Sequence, residues 1–108
     1  MDAQQLYIAL KKVQEPRGYF LNRDMDKTLA LLEGLLTNRE RYGYMACPCR
    51  LAAEDIDADR DIICPCTYRH EDIKEYGSCY CGLYVSRDCH QGLAEPRFVP
   101  ERRPAEKC

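Results

Sequence analysis

The sequence predicts a small, mainly α-helical domain whose short helices wrap around three pairs of cysteines. Two stretches within the first forty residues carry apolar side chains at helical spacing. Further along the chain, short helical stretches alternate with Cys-X-Cys pairs at residues 47–49, 64–66 and 79–81. The chain has 108 residues, no Trp and two Phe. Its apolar core is therefore modest, and we expect the cysteine cluster to add stability.

The first helix is predicted between Asp2 and about Gln14. Asp2 is suited to the N-cap, and Pro16 followed by Gly18 ends the helical pattern. The apolar positions of this stretch are Leu6, Ala9, Leu10 and Val13. We interpret the helix as amphipathic, with these positions facing the core.

A second helix is predicted from a cap at Asn22 or Asp24 as far as Asn38. Its apolar stripe consists of Met25, Leu29, Leu32, Leu35 and Leu36. Leucines at this spacing are typical of core packing. We therefore expect the two helices to cover one side of the cysteine region, and we predict a turn at Gly43.

Short helices are also predicted between the cysteine pairs. One covers about residues 51–58, in an acidic stretch that is typical of a solvated helix face, with a docking surface for a basic partner as the alternative. Another runs from Arg69 to Tyr76 and ends at Gly77, a residue suited to the left-handed C-cap.

The last part of the chain is less regular. Residues 82–85 are predicted to be one brief strand or the start of a last helix. From Ala94 onward three prolines interrupt any regular structure, which predicts an extended wrap or partial disorder. We therefore divide the chain into a domain at residues 1–92 and a C-terminal tail at residues 93–108.

Charge and composition limit the classes of partner and the compartment. The net charge is −2 and no long run of Lys and Arg is present, so nucleic acid is not an expected partner. The first fifteen residues carry charges without an apolar core segment, and the chain has no transmembrane stretch. We therefore expect no membrane association and a cytoplasmic location. Clustered cysteines in that reducing compartment favour metal binding or catalysis over a disulfide framework.

Six cysteines in three pairs are more than one metal centre needs. A tetrahedral or cubane centre takes four thiolates, which leaves two cysteines for a redox pair. Pro48 and Pro65 restrict the backbone of the first two pairs and so direct the two thiols of each pair differently. Spacing alone does not choose the four ligands. Nor does it choose between an iron-sulfur centre, which exchanges electrons, and zinc, which is structural.

The order Cys-Pro-Cys, Cys-Pro-Cys, Cys-X-Cys resembles the catalytic (β) chain of ferredoxin:thioredoxin reductase and its prokaryotic ferredoxin:disulfide reductase relatives. The surrounding residues that share the likeness are Tyr42-Gly43-Tyr44, Ile62-Ile63 and Cys79-Tyr80-Cys81-Gly82-Leu83-Tyr84. The resemblance covers about residues 5–90 and does not include the segment from Gly92 onward. It implies a mainly α domain wrapped around a 4Fe-4S cluster.

The resemblance also implies a role for each paired cysteine. In the family, the first cysteine of the first pair, both of the second and the first of the third hold the cluster. The corresponding residues here are Cys47, Cys64, Cys66 and Cys79. The active-site disulfide then corresponds to Cys49 and Cys81. Cys49 is the outer nucleophile that forms a mixed disulfide with the substrate, and Cys81 is the thiol that faces the cluster.

The implied activity is reduction of a disulfide in thioredoxin or a similar small protein, with electrons taken singly from a ferredoxin-like donor. Whether a variable-type subunit also takes part stays open. A simple 4Fe-4S electron-transfer protein is one alternative, but it leaves Cys49 and Cys81 without a role. A zinc-bound interaction module is another, although zinc knuckles usually have Cys-X2-Cys spacing.

The third pair departs from the plant-type pattern, which has His between its cysteines where this chain has Tyr80. The family assigns that His a proton-handling role. Tyrosine titrates near a pKa of about 10 and transfers protons poorly near neutral pH. We interpret His70 and His90 as ordinary surface residues, with a substitute role for either of them as the alternative. Cys89 and Cys108 lie outside the signature, and we interpret them as a buried thiol and an exposed terminal thiol.

Overall fold

The computed structural model describes residues 1–107, and most of the regular structure within them is helical. The helices are α1 (Ala3–Gln14), α2 (Met25–Tyr42), α3 (Ile56–Asp59), α4 (Arg69–Tyr76) and α5 (Arg87–His90). The strands are β1 (Phe20–Leu21) and β2 (Tyr84–Val85), and short 3-10 turns cover Glu15–Arg17, Arg60–Ile62 and Ala105–Lys107. The predicted mainly α class is confirmed. Cys108, predicted to be an exposed thiol, lies outside the described residues.

Both long helices begin at a predicted capping residue. The Asp2 side chain accepts a hydrogen bond from the Gln5 backbone N–H at 2.8 Å, and the Gln5 side chain accepts one from the Asp2 backbone N–H at 2.9 Å. This reciprocal arrangement satisfies two backbone donors at the start of α1. At α2 the cap is Asp24, whose side chain accepts the Lys27 N–H at 3.2 Å. The other candidate, Asn22, instead accepts the backbone N–H of Asp24.

The buried face of α1 differs from the predicted stripe. Ala3 and Leu6 are buried, whereas Ala9 is exposed and Val13 is 50% exposed. The last turn buries Gln14 instead, with its side-chain oxygen hydrogen-bonded inside the fold. A glutamine can occupy such a position when a donor is available, and apolar periodicity does not anticipate it.

Helix α2 supplies much of the core, as its leucine stripe predicted. Leu32 and Leu35 have no exposed surface. The helix runs four residues beyond the predicted end at Asn38, because the residues up to Tyr42 do not break a helix. It ends at Gly43, which has a φ of +83° and accounts for the predicted turn.

A small antiparallel sheet joins the two halves of the chain. Phe20 of β1 lies opposite Val85 of β2, and Leu21 lies opposite Tyr84. Of the two predictions for residues 82–85, the strand is therefore confirmed, over Tyr84–Val85. The sheet and the first two helices share a core of buried residues, namely Ala3, Leu6, Leu21, Leu32, Leu35, Cys79, Leu83 and Tyr84. The third cysteine pair is thus anchored in this core.

The helix predicted over residues 51–58 is wrong in its first half. Helix α3 begins only at Ile56, and Leu51 is 92% exposed. Asp55 caps α3, since its side chain accepts the Asp57 backbone N–H at 3.2 Å. Just before the cap, Glu54 has a φ of +64°, which lies outside the right-handed helical region. The prediction for α4 is confirmed at both ends.

The C-terminal segment, residues 93–107, is an extended wrap and not a disordered tail. Val99 is buried, and ion pairs join Arg102 to Asp72 at 2.8 Å and Arg103 to Asp61 at 2.9 Å. This segment therefore packs along the rest of the domain. Within residues 1–107, no helix combines the length and the apolar character that crossing a membrane would require.

Candidate redox site

The first two cysteine pairs are held side by side by backbone contacts. Ala46 and Ile63 form an isolated antiparallel bridge. Next to it, the Cys47 N–H donates to the Ile62 carbonyl at 2.8 Å. Ala46 precedes Cys47 and Ile63 precedes Cys64. The bridge therefore brings the first cysteines of both pairs to the same place.

The third pair lies on a tight turn at the start of the hairpin that leads into β2. The Cys79 N–H donates to the Tyr84 carbonyl at 2.9 Å, and the Tyr84 N–H lies 3.3 Å from the Cys79 Sγ. The Gly82 N–H closes the turn on the Cys79 carbonyl at 3.0 Å. Gly82 has a φ of +84°, a conformation that favours glycine. Cys79 is therefore fixed by both its backbone and its sulfur.

The three pairs converge on one space, which we call the cysteine cavity. It is lined by five thiols, two arginines and two tyrosines: Cys47, Cys64, Cys66, Cys79, Cys81, Arg50, Arg69, Tyr80 and Tyr84. All four cysteines expected to hold a cluster belong to this lining.

The donor set of the cysteine cavity fits a thiolate-ligated iron-sulfur cluster. A 4Fe-4S cluster is held by four thiolates, one to each iron, so the four sulfurs do not need to meet at one point. Burial raises the pKa of the Cys64 and Cys66 thiols, so metal binding there must displace protons.

Cys49 and Cys81 are neighbours although 32 positions separate them in the sequence. Cys49 is exposed and Cys81 is half-buried. Their thiols interact with each other, and the Cys81 Sγ also lies 3.7 Å from the Cys79 Sγ. Both are free thiols. The fold therefore brings the two thiols of this pair together.

The thiols of Cys49 and Cys81 have opposite pKa shifts. Hydrogen bonds with the thiols of Cys47 and Cys81 hold the pKa of Cys49 well below its ordinary value. Hydrogen bonds with Cys47, Cys49 and Cys79 hold the pKa of Cys81 well above it. The thiolate is the nucleophilic form of cysteine. These directions favour ionisation of the Cys49 thiol over ionisation of the Cys81 thiol.

Known proteins are similar to this chain over most of its length. A family model described as "Ferredoxin thioredoxin reductase catalytic beta chain" matches residues 3–102. The chain belongs to this family. Membership identifies it as an oxidoreductase of the ferredoxin thioredoxin reductase type. The match also extends beyond residues 5–90, into the C-terminal segment.

Individual relatives carry the same name. The "Ferredoxin-thioredoxin reductase, catalytic chain" of Guillardia theta is 30% identical over 89 residues, which are 76% of this chain and 82% of that protein. The proteins of that name from Porphyra purpurea and Pyropia yezoensis are each 32% identical over 74 residues, or 66% of this chain. The match spans 58% and 60% of their own lengths, less than two thirds in each case.

In this member of the ferredoxin thioredoxin reductase family, neither histidine lines the cysteine cavity. The Nδ1 of His70 lies 2.9 Å from the Tyr19 hydroxyl, and the Nδ1 of His90 lies 2.6 Å from the Leu21 carbonyl oxygen. Tyr80 does line the cavity. The position between the third pair's cysteines therefore has no nearby histidine as a substitute.

Cys89 is buried outside the cysteine cavity. It lies against the backbone of Gly77, where an added Cβ would come within 3.0 Å of the Cys89 Sγ. Its backbone N–H donates to the Ser86 hydroxyl at 3.2 Å. This thiol therefore packs beside helix α4, apart from the paired cysteines.

The two arginines in the lining of the cysteine cavity were not predicted to lie there. Arg69 is 8% exposed, and its Nη1 donates to Gln14 at 2.8 Å. Its guanidinium lies 3.7 Å from the ring centroid of Tyr19 and 4.8 Å from that of Tyr84. An arginine soon after each Cys-Pro-Cys pair, here Arg50 and Arg69, is the signal that would have found them.

Proposed function

We propose that this chain is an iron-sulfur disulfide reductase that reduces thioredoxin, or a similar small protein, with electrons from a ferredoxin-like donor. One observation carries the proposal. The four thiols expected to hold a 4Fe-4S cluster line the cysteine cavity together with Cys81, while Cys49 beside it is exposed to a partner. A simple electron carrier has no use for an exposed thiol next to a half-buried one.

The disulfide chemistry uses Cys49 and Cys81 in turn. The Cys49 thiolate attacks one sulfur of the substrate disulfide, a Cys49–substrate disulfide forms, and the other substrate sulfur leaves as a thiolate that takes up a proton. Cys81 then loses its proton and attacks the Cys49 sulfur, which releases the second substrate thiol. The substrate gains two electrons and two protons, and the Cys49–Cys81 pair is oxidised to a disulfide.

The dithiol must then be restored by a donor that delivers one electron at a time. Bound by Cys47, Cys64, Cys66 and Cys79, a 4Fe-4S cluster supplies one-electron chemistry beside Cys81. The overall driving force is sufficient. A plant-type ferredoxin near −400 mV and a thioredoxin near −270 mV differ by ~130 mV, or about 6 kcal/mol for two electrons.

The surroundings of Cys49 and Cys81 support the proton transfers of this reaction. Solvent reaches Cys49 directly because its side chain is exposed, and Tyr80 in the cavity lining is available as a hydrogen-bond donor. We assign the activity to the cytoplasm, where thiols are kept reduced and the dithiol persists.

An anaerobic assay tests the proposal. Reduced ferredoxin, this chain and oxidised thioredoxin are mixed, and the thiols of thioredoxin are followed by alkylation and gel shift. We expect reduction by the wild-type chain and by Cys89→Ser, and none by Cys49→Ser. A variable-type subunit is added in a parallel arm. A cluster-containing chain that fails to reduce thioredoxin with and without that subunit contradicts the proposal.

A further inference from the structure

The C-terminal segment reaches the cysteine cavity through Glu101 and Arg50. The Glu101 carboxylate accepts two hydrogen bonds from the Arg50 guanidinium, from Nε at 2.9 Å and from Nη2 at 2.8 Å. It also accepts the Arg103 backbone N–H at 2.9 Å, which fixes the carboxylate. A bidentate pair sets the plane of the guanidinium as well as its position. Arg50 is therefore held from outside the cavity.

The guanidinium that Glu101 holds presents its remaining nitrogen to a cysteine. The Nη1 of Arg50 lies 3.7 Å from the Cys66 Sγ. The charge also lies 4.5 Å from the ring centroid of Tyr80 and 5.3 Å from that of Tyr68. The Arg50 side chain is 2% exposed. This fixed cation thus contacts an expected cluster ligand and the residue between the cysteines of the third pair.

The two charges of this ion pair do not cancel at the cavity. The Glu101 side chain is 28% exposed, against 2% for Arg50. Water screens the carboxylate more strongly than the buried cation. The guanidinium also lines the cavity, whereas Glu101 does not. The cavity therefore experiences a net positive field from the pair.

We propose that Glu101 is a positioning residue that holds Arg50 as the fixed counter-charge of the thiolates in the cysteine cavity. The inference rests on the proposed function, since it takes the occupant of the cavity to be a cluster held by thiolates. It makes the C-terminal segment a working part of the redox site. Lysine cannot replace Arg50 fully, because an ammonium cannot bind Glu101 in a bidentate way and reach Cys66 as well.

The reduction potential of the cluster reports this role. A cation beside a ligand sulfur favours the more negatively charged, reduced state, and therefore raises the potential. We expect Arg50→Gln to shift the midpoint potential to a more negative value, and Arg50→Lys to shift it less. Glu101→Gln is the most informative variant. We expect this variant to shift the midpoint potential of the cluster to a more negative value. Removing the negative charge of Glu101 would by itself raise the potential, so a negative shift reports the release of Arg50.

Glu75→Gln is the matched control. Glu75 also pairs with the C-terminal segment, through Arg102 at 3.1 Å, and it does not line the cavity. Glu75→Gln removes the same charge as Glu101→Gln, and we expect the midpoint potential of its cluster to stay at the wild-type value.

Hydrogen exchange of the holoprotein tests, independently of the potential, whether the Arg50–Glu101 ion pair holds the C-terminal segment in place. The peptide that covers residues 97–103 should exchange faster in Glu101→Gln and Arg50→Gln than in Glu75→Gln, because Arg102 keeps its ion pair with Asp72 in the last variant. Circular dichroism checks folding, and if Arg50→Gln does not fold, the comparison of Glu101→Gln with Glu75→Gln decides.

The possible results distinguish a failure of the role of Glu101 from a failure of the proposed function. A full cluster with an unchanged or raised potential in Glu101→Gln overturns the role of Glu101 and leaves the reductase proposal intact. Unchanged hydrogen exchange of residues 97–103 in that variant would show that the Arg50–Glu101 ion pair does not hold the C-terminal segment in place. A wild-type chain without iron and sulfide contradicts the proposed function instead.

Discussion

Cys49 and Cys81 hold the same place in their pairs but have different surroundings. Cys49 is exposed, on a turn that the Arg50 N–H closes on the Cys47 carbonyl at 3.2 Å. Cys81 is half-buried and contacts the Cys79 sulfur. Thiol-disulfide exchange needs an accessible thiolate and a resolving thiol close behind it. This difference in burial favours Cys49 for the first step.

Replacing Cys81 by Ser should trap thioredoxin as a stable mixed disulfide on Cys49, because no resolving thiol remains. Cys49→Ser should trap none, and both variants should keep their iron. Non-reducing gels and mass spectrometry of the cross-linked peptide measure the outcome. Cys89→Ser serves as the control and should turn over like the wild type. A mixed disulfide on Cys81 in the Cys49→Ser variant would reverse the assigned roles.

A buried polar pair, Tyr44 and Asp59, anchors the loop after the first cysteine pair. Asp59 has no exposed surface, and it accepts the Tyr44 hydroxyl at 2.5 Å and the Ala53 N–H at 2.9 Å. Tyr44→Phe removes one of these donors from a buried carboxylate. We expect a lower free energy of unfolding at pH 7, measured by urea denaturation, and equal stability there would contradict this account.

The same tyrosine predicts a response to alkaline pH. Burial, together with the hydrogen bond to Asp59, raises the pKa of Tyr44 to about 12, whereas an unfolded tyrosine titrates near about 10. A raised pKa contributes stability that is complete below pH ~10 and is lost as pH rises towards ~12. The stability difference between the wild type and Tyr44→Phe should therefore shrink over this interval.

Among the elements, helix α2 supports the first cysteine pair through Gly34. A Cβ added at Gly34 would lie 3.0 Å from the Cβ and 3.2 Å from the Cγ of Pro48. The proline ring therefore packs directly on the helix backbone. Glycine inside a helix costs about 1 kcal/mol relative to alanine, and this close packing offsets that cost.

Gly34→Ala should favour the helix by about 1 kcal/mol through propensity alone, yet it forces Pro48 and the turn after Cys47 to move. We expect iron release to a chelator to become several-fold faster, and the double variant Gly34→Ala with Pro48→Ala to recover much of the wild-type rate. Ala30→Gly on the exposed face of α2 measures propensity alone. A stabilised Gly34→Ala with unchanged iron release would show that the contact is unimportant.

At the scale of the whole molecule, the features predictable from sequence are those that neighbouring residues decide. The cap at Asp2 and the end of α4 at Gly77 depend on residues within one helical turn. The interrupted helix near Glu54 was not predictable in this way, because the Ala53 N–H donates to the carboxylate of Asp59, which lies six positions further along the chain. The Arg50–Glu101 contact was also missed, since its partners are 51 positions apart.

The candidate site was likewise only partly predictable from the sequence. Spacing indicated a metal centre and a redox pair, but the roles of Cys49 and Cys81 came from the family resemblance and not from the spacing. Their proximity depends on two separate backbone arrangements, the bridge at Ala46 and the hairpin at Cys79. No local sequence pattern predicts that Cys49 and Cys81 lie close together.

The cysteine cavity also lies between two separate apolar clusters. Cys79 belongs to the core formed by α1, α2 and the sheet, and Cys47 belongs to a second cluster with Tyr44, Ala46 and Ile62. A group held by both cysteines would tie these clusters together. Metal loss should therefore destabilise the entire domain, because metal binding contributes directly to the free energy of folding.

Single Ser variants of the expected ligands test this consequence. Replacement of any one of Cys47, Cys64, Cys66 or Cys79 should lower the iron content and the temperature of thermal unfolding, followed by circular dichroism. Cys89→Ser, which alters a buried thiol outside the cavity, should keep its iron. A variant that retains a full and stable cluster would show that the ligand set is misassigned.

The composition of the purified protein tests the central claim most directly. Iron, sulfide and zinc are measured in anaerobically purified chain, and alkylatable thiols are mapped by mass spectrometry before and after reduction. We expect a brown protein with about four iron and four sulfide per chain, in which reduction exposes the thiols of Cys49 and Cys81. A colourless protein that carries zinc, or a brown one in which reduction exposes neither thiol, would contradict this claim.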